Sequence, residues 1–147
     1  MSLESVDTCL AQAESARDGG DLAAGLAAAV QAWDRVPHDD APRRLRAGLL
    51  LAHFRYRTGA LAGMIDVALA VLPLLRASGT TGDLIDLLRH VALGAADTNR
   101  FELAMSAAQE AHRLALETGD PARISMATNA LACCFERSGD PWQAERL

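Results

Sequence analysis

Four turn residues recur at near-constant spacing along this chain. They are Gly20, Gly59, Asn99 and Gly139, separated by 39, 40 and 40 residues. Glycine enters left-handed backbone without steric cost, and asparagine does so more readily than most residues, so each is suited to closing a helix. In the segments RDGGDLAAGLAAAVQAW, YRTGALAGMIDVALAVL, ADTNRFELAMSAAQEAH and ERSGDPWQAERL, one helical pattern precedes the turn and another starts just after it. A repeated helix–turn–helix at this period implies an all-α chain: an α-solenoid of antiparallel helix pairs, with about seven to eight helices.

The patterns predict helices at 3–17, 21–35, 42–58, 61–77, 81–97, 101–117, 122–137 and from 141 onward. They group into repeats 3–37, 42–77, 81–118 and 121–147 of one domain spanning 1–147, with the last repeat truncated. Met-Ser-Leu at the start reads as a leader outside the fold. Alanine accounts for 30 of the 147 residues and aromatics for only 4%, a composition for helices that approach closely. After Asn99, Ala104, Ala108 and Ala111 follow at helical spacing, with Phe101, Met105 and Leu114 extending the buried face. Gly25, Ala29 and Ala32 hold the matching places in the first repeat, Pro37 ends its second helix, and Ala144 matches in the fourth. Met64 departs from this pattern and predicts a wider separation of its two helices. Pro73 lacks an N–H and is expected to kink or split the helix around it. Asp120–Pro121 and Asp140–Pro141 read as cap-and-proline helix starts. Thr98 or Asn99 is expected to cap the helix holding Phe101, and a threonine of GTTGD the helix near Gly82.

Net charge is −5 without a basic block, which argues against nucleic acid as a partner. No uninterrupted apolar run of 18 residues occurs, and the start MSLESVDTCL lacks signal-peptide features, so the expectation is a soluble, cytoplasmic chain without a membrane partner. Three cysteines, an odd number, fit a reducing compartment. All 14 basic residues are arginine, a pattern of GC-rich bacterial genomes.

Catalytic patterns are missing. His38, His53, His90 and His112 do not pair at metal-ligand spacing, and HExxH does not occur. His38 in PHDDAP reads as a solvated loop residue, and His90 and His112 as surface or groove-edge residues. Adjacent helical residues point about 100° apart, so Cys133 and Cys134 suit neither a disulfide nor chelation. Cys134 reads as core, and Cys133 as facing a groove. RDGGDLAAG lacks the lysine of a phosphate loop, and GGDLA is a turn and helix start. The expectation is a segment with no catalytic residue, no metal and no cofactor.

The stretch LETGDPARISMATNALACCFERSGDPWQAERL resembles tetratricopeptide repeats of the longer, roughly forty-residue kind. The resemblance lies in NALA, Phe135, the GD turn and Ala144. Such repeats occur in kinesin light chains and in bacterial signalling and transcription regulators. The stretch LAHFRYRTGALAGMIDVALAVLPLL also resembles helical N-terminal regions of bacterial diguanylate cyclases, which precede a GGDEF domain.

The repeat resemblance implies a right-handed superhelix whose first helices line a concave, partner-binding face. Counting back from each turn puts Arg46, His53, Tyr56 and Arg57 on that face in the second repeat. Arg89 follows in the third, and Asn129 and Arg137 in the fourth. Arginine forks and tyrosine rings suit recognition of peptides or proteins.

The expected function is a protein- or peptide-binding regulatory module of a larger bacterial signalling protein, a diguanylate cyclase in the favoured case, with a domain attached downstream. Alternatives are the regulatory region of a transcription factor and a free-standing adaptor that dimerises through its incomplete last helix. The tail ERSGDPWQAERL, which opens a helix near its end, reads as a cut through a longer protein, with Trp142 and Leu147 awaiting neighbours.

Overall fold

The repeated turns are the clearest local feature of the computed structural model, which describes residues 2–78, 80–139 and 146. Gly20, Gly59, Asn99 and Gly139 all adopt left-handed backbone, with φ of 76°, 82°, 62° and 86°. Asn99 is the non-glycine residue that does so among the described residues. Three of these turns are closed by the same bond, an N–H reaching back five residues. Asp21 N–H donates to the Ala16 carbonyl at 2.9 Å, Ala60 to Arg55 at 2.8 Å and Arg100 to Ala95 at 2.8 Å. One helix-closing motif thus recurs at the period of the sequence, satisfying carbonyls that each helix end would leave bare.

The fold is all-α, with seven helices and no strand among the described residues. They are α1 (Leu3–Gly19), α2 (Leu22–Arg35), α3 (Ala41–Arg57), α4 (Leu61–Ser78), α5 (Thr81–Asp97), α6 (Phe101–Thr118) and α7 (Pro121–Arg137). Each lies within a few residues of its expected span. Asp21, Asp40 and Asp120 cap α2, α3 and α7 by accepting from backbone N–H groups of the first turn. The expected helix from 141, with its cap Asp140 and the tail residues Trp142, Ala144 and Leu147, lies outside the described residues.

Several local expectations are corrected. Ser2 caps α1 by accepting from the Ser5 N–H and Leu3 opens the helix, so these two residues belong to the fold. Pro73 does not split α4, which continues through it to Ser78. Thr98 does not cap α6: its hydroxyl donates backward to the carbonyls of Gly94 and Ala95, and Asn99 turns left-handed. Arg100 takes the cap position of α6 without a side-chain bond, and so does Thr80 at α5. Although Asp66 and Arg76 interrupt it, α4 is by length and composition a helix that could cross a membrane, the one such among the described residues. Seven of its residues, including Met64, Ile65, Val71 and Leu75, are buried in the protein.

The chain divides into two compact units, Met1–Ala77 and Ser78–Leu147. In the first unit α2 packs against α1 and α3, and α1 also meets α3. Its core joins Val6, Leu10, Ala29, Ala32, Leu51, Phe54, Met64, Ile65 and Val71. Gly25 is essential to it, because a Cβ there would collide with the Phe54 ring. Burying that ring contributes about 1.5–3 kcal/mol. Gly48 plays the same part in α3, where a Cβ would strike Val71 of α4. The wider spacing expected from Met64 is thus not seen at Gly48, and Met64 itself is fully buried.

In the second unit α5, α6 and α7 pack against one another. Ala104, Ala108 and Ala111 are completely buried beside Ile85, Leu88, Val91, Ala92 and Cys134. Phe101, Met105 and Leu114 are half-buried.

Candidate functional site

Long-range ion pairs reveal how α1 and α3, and α5 and α7, lie together. In the first unit, Arg43 of α3 grips Asp7 of α1 side-on, with Nε to Oδ1 at 2.8 Å and Nη2 to Oδ2 at 2.9 Å. Its Nη1 also donates to Asp40 at 3.0 Å. Further along the same two helices, Arg46 of α3 pairs with Glu14 of α1. Higher numbers meet higher numbers, so α1 and α3 run parallel. The Arg43 guanidinium, by hydrogen bonding first, holds the Asp7 carboxyl below the usual carboxylate range, and Asp7 in turn raises Arg43.

The second unit repeats the device. Arg137 of α7 pairs with Asp97 of α5. Arg123 of α7 donates to the Gly82 carbonyl at 3.2 Å, and its Nη1 lies 3.9 Å from Asp86. Helices α5 and α7 are therefore parallel too. In both units the acid belongs to the earlier helix and the arginine to the later one.

These pairs decide the state of the expected binding residues. Arg46 and Arg137 are engaged by Glu14 and Asp97. Arg89 of α5 is only 14% exposed and contacts Asp86 at 3.5 Å, while its Nε is buried without a partner. Asn129 is exposed on α7, and the 40-residue offset from Asp97 to Arg137 puts it level with Arg89. His53 is half-buried, with the Phe54 ring edge-on at 5.1 Å. Burial, then Arg57 and Arg17, push its imidazole below the usual value. Tyr56 is half-buried and Arg57 exposed on the same helix. The seven residues thus form two groups: Arg46, His53, Tyr56 and Arg57 in one unit, and Arg89, Asn129 and Arg137 in the other.

Residues that sequence reasoning missed are the partners: Asp7, Glu14, Arg17 and Arg43 in the first unit, and Asp86, Asp97 and Arg123 in the second. A signal existed in the spacing. Asp7 to Arg43 is 36 residues and Asp97 to Arg137 is 40, about one repeat. An acid and an arginine one period apart on first helices are neighbours when those helices run parallel.

Cys134 is buried, with its thiol directed at the carbonyls of Ala92 (3.6 Å) and Ala104 (3.8 Å), and burial pushes it up to about 11. Cys133 is half-buried and Cys9 buried. His38 is exposed, and its neighbour Asp40 serves as the cap of α3. No group of three or more His, Cys, Asp or Glu side chains is placed to hold a metal ion among the described residues. A shallow, open depression lined by Asn99, Arg100, Phe101, Glu102 and Leu103 lies at the start of α6. Compared with protein-family models, with curated proteins and with solved structures, the chain matches none.

Proposed function

We propose that this chain is a tetratricopeptide-like module that binds a protein or peptide and regulates a larger bacterial, cytoplasmic signalling protein. The observation that carries this reading is the pairing of parallel first helices within each unit. The α1–α3 pair carries arginine, histidine and tyrosine side chains and the α5–α7 pair arginine and asparagine, on a frame whose turns close by one recurring bond. Such a frame holds contact groups in fixed relation, which lowers the ordering cost of binding. Arg57 and Asn129 are exposed contact groups that no ion pair engages among the described residues. Arg46 and Arg137 contribute once a ligand acid competes with Glu14 or Asp97.

Selection of a random peptide library on the immobilised protein tests this. Sequences should be enriched over a blank surface and lost on the Arg46→Ala/Arg57→Ala/Arg89→Ala variant. A library that enriches nothing removes the reading. The resemblance of the α3–α4 sequence to regions preceding cyclase domains supports a diguanylate cyclase as the parent. A GGDEF motif in the coding sequence that follows Leu147 is the result expected, and a helix-turn-helix domain there would replace the cyclase with a transcription factor.

A further inference from the structure

The outward side of α4 is apolar where that of α6 is polar. Of the 18 residues of α4, seven are buried. Its exposed positions include Ala62, Leu69, Ala70, Pro73 and Ala77, and the two charged residues of the helix, Asp66 and Arg76, are exposed among them. On α6 the exposed positions include Glu102, Gln109, Arg113 and Glu117. A contiguous apolar stripe rimmed by charge is the mark of an interaction surface.

The stripe is its own complement. Asp66 and Arg76 each stand five residues from Val71, and Leu69 and Pro73 each stand two residues from it. At about 100° per residue, Arg76 and Asp66 lie about 80° apart around the helix, with Leu69, Ala62 and Pro73 between them in rotation. A second α4 laid antiparallel on this side and centred on Val71 sets Asp66 of each copy opposite Arg76 of the other. It also sets Leu69 of each copy beside Pro73 of the other. One patch thereby meets itself about a twofold axis. Ala62, Ala70 and Ala77 add no bulk, so the axes can approach to about 8 Å, a gap that the long arginine side chain spans. Asp66 is engaged by no ion pair among the described residues. Arg76 has an interaction of its own, and its five N–H donors leave room for a second acid.

We propose that the outward side of α4 is a self-association surface whose occupant is a second copy of this chain. The two helices pair antiparallel about Val71, with Leu69 against Pro73 and two reciprocal Asp66–Arg76 ion pairs. A lipid surface does not fit, because Asp66 sits inside the stripe and would be carried into the apolar layer. One helix face is small beside the roughly 1,600 Å² of a standard interface, so the pair is weak and forms at high micromolar concentration. The surface lies on α4 and does not depend on the binding residues of α3, α5 and α7.

Sedimentation equilibrium of the full chain tests this. A monomer–dimer equilibrium with Kd on the order of 100 μM is expected. Leu69→Asp should weaken it at least about tenfold. Asp66→Arg and Arg76→Asp should each weaken it, by setting like charges opposite one another, and the two reversals in one chain should restore it. The substituted positions are exposed, so helical circular dichroism should be unchanged. Asp66→Arg disturbs no ion pair among the described residues, so it carries the charge test even if Arg76→Asp loosens the helix. A chain that stays monomeric to about 1 mM, ten times the expected Kd, overturns the surface. So does a dimer that Leu69→Asp or Asp66→Arg leaves as tight as before, or a folded double reversal no tighter than either single one.

Discussion

The two units use the same helix-closing turn with opposite packing chemistry. In Met1–Ala77, bulk is set into gaps: the Phe54 ring occupies the space over Gly25, and Val71 that over Gly48. In Ser78–Leu147, small meets small: Ala104, Ala108, Ala111 and Ala115 of α6 are fully buried, with Ala92 and Ala95 of α5 and Ala127 of α7. A shared turn therefore sets where helices reverse, and leaves open whether a notch and a knob or two flat surfaces make the contact. The first solution concentrates stability in a few residues, while the second spreads it over many.

The largest test of that contrast is Phe54→Ala, which empties the notch. A loss of about 3–5 kcal/mol is expected from denaturant unfolding. No single alanine of α6 can lose as much, since Ala108→Gly removes one methyl and costs about 1 kcal/mol of helix propensity plus a small void. Equal losses from the two variants would erase the distinction. Next in size is Gly25→Ala. Helix propensity favours the change, but the Cβ collides with the Phe54 ring, so a net loss of about 1–3 kcal/mol is expected. Adding Phe54→Leu should recover part of it, and no recovery would place the strain elsewhere.

Asn99→Gly compares the turns. Gly20 and Gly59 close their helices at no steric cost, whereas Asn99 adopts φ 62° with a side chain. Replacement by glycine should raise the melting temperature, by a gain on the order of 0.5–1 kcal/mol. Unchanged melting would mean that the asparagine side chain compensates for its backbone.

The smallest effects are in pH, and they fall at opposite ends of the scale. Asp7 in the first unit titrates below its unfolded value, so its contribution is complete above about pH 4 and is lost as pH falls through the folded pKa. Asp7→Asn should therefore flatten part of the acid limb of the stability curve. Cys134 in the second unit titrates at about 11, above its unfolded value. Stability should decline as pH rises past about 8.5, where the unfolded thiol ionises and the folded one does not. Cys134→Ala should remove that alkaline decline, and thiol reagents at neutral pH should modify Cys133 before Cys134.

Much of the fold was legible because helix ends are encoded locally. A left-handed glycine or asparagine closes α1, α3, α5 and α6, and aspartate caps open α2, α3 and α7. The misassigned caps failed for an equally local reason. Thr98 had two groups to serve, and its hydroxyl reaches back to Gly94 and Ala95 within its own helix. Pro73 does not split α4, whose residues Val71, Leu72 and Leu75 on either side of it are buried. The candidate residues lie on α3, α5 and α7, but which of them are already paired was not legible. Arg46 and Arg57 look alike in a helical pattern, and among the described residues it is Arg46 that meets a carboxylate, Glu14 of α1.

The sequence by itself determined the period, the seven described helices, the all-α class and the alanine faces, since each follows from propensities and turns acting within a few residues. Tertiary structure alone decided which glycine receives which side chain, and which arginines are already paired. Those outcomes depend on contacts between residues some 30 to 40 positions apart, such as Gly25 with Phe54, Asp7 with Arg43 and Asp97 with Arg137. No local pattern carries that information, because it arises only when parallel first helices settle at a particular offset.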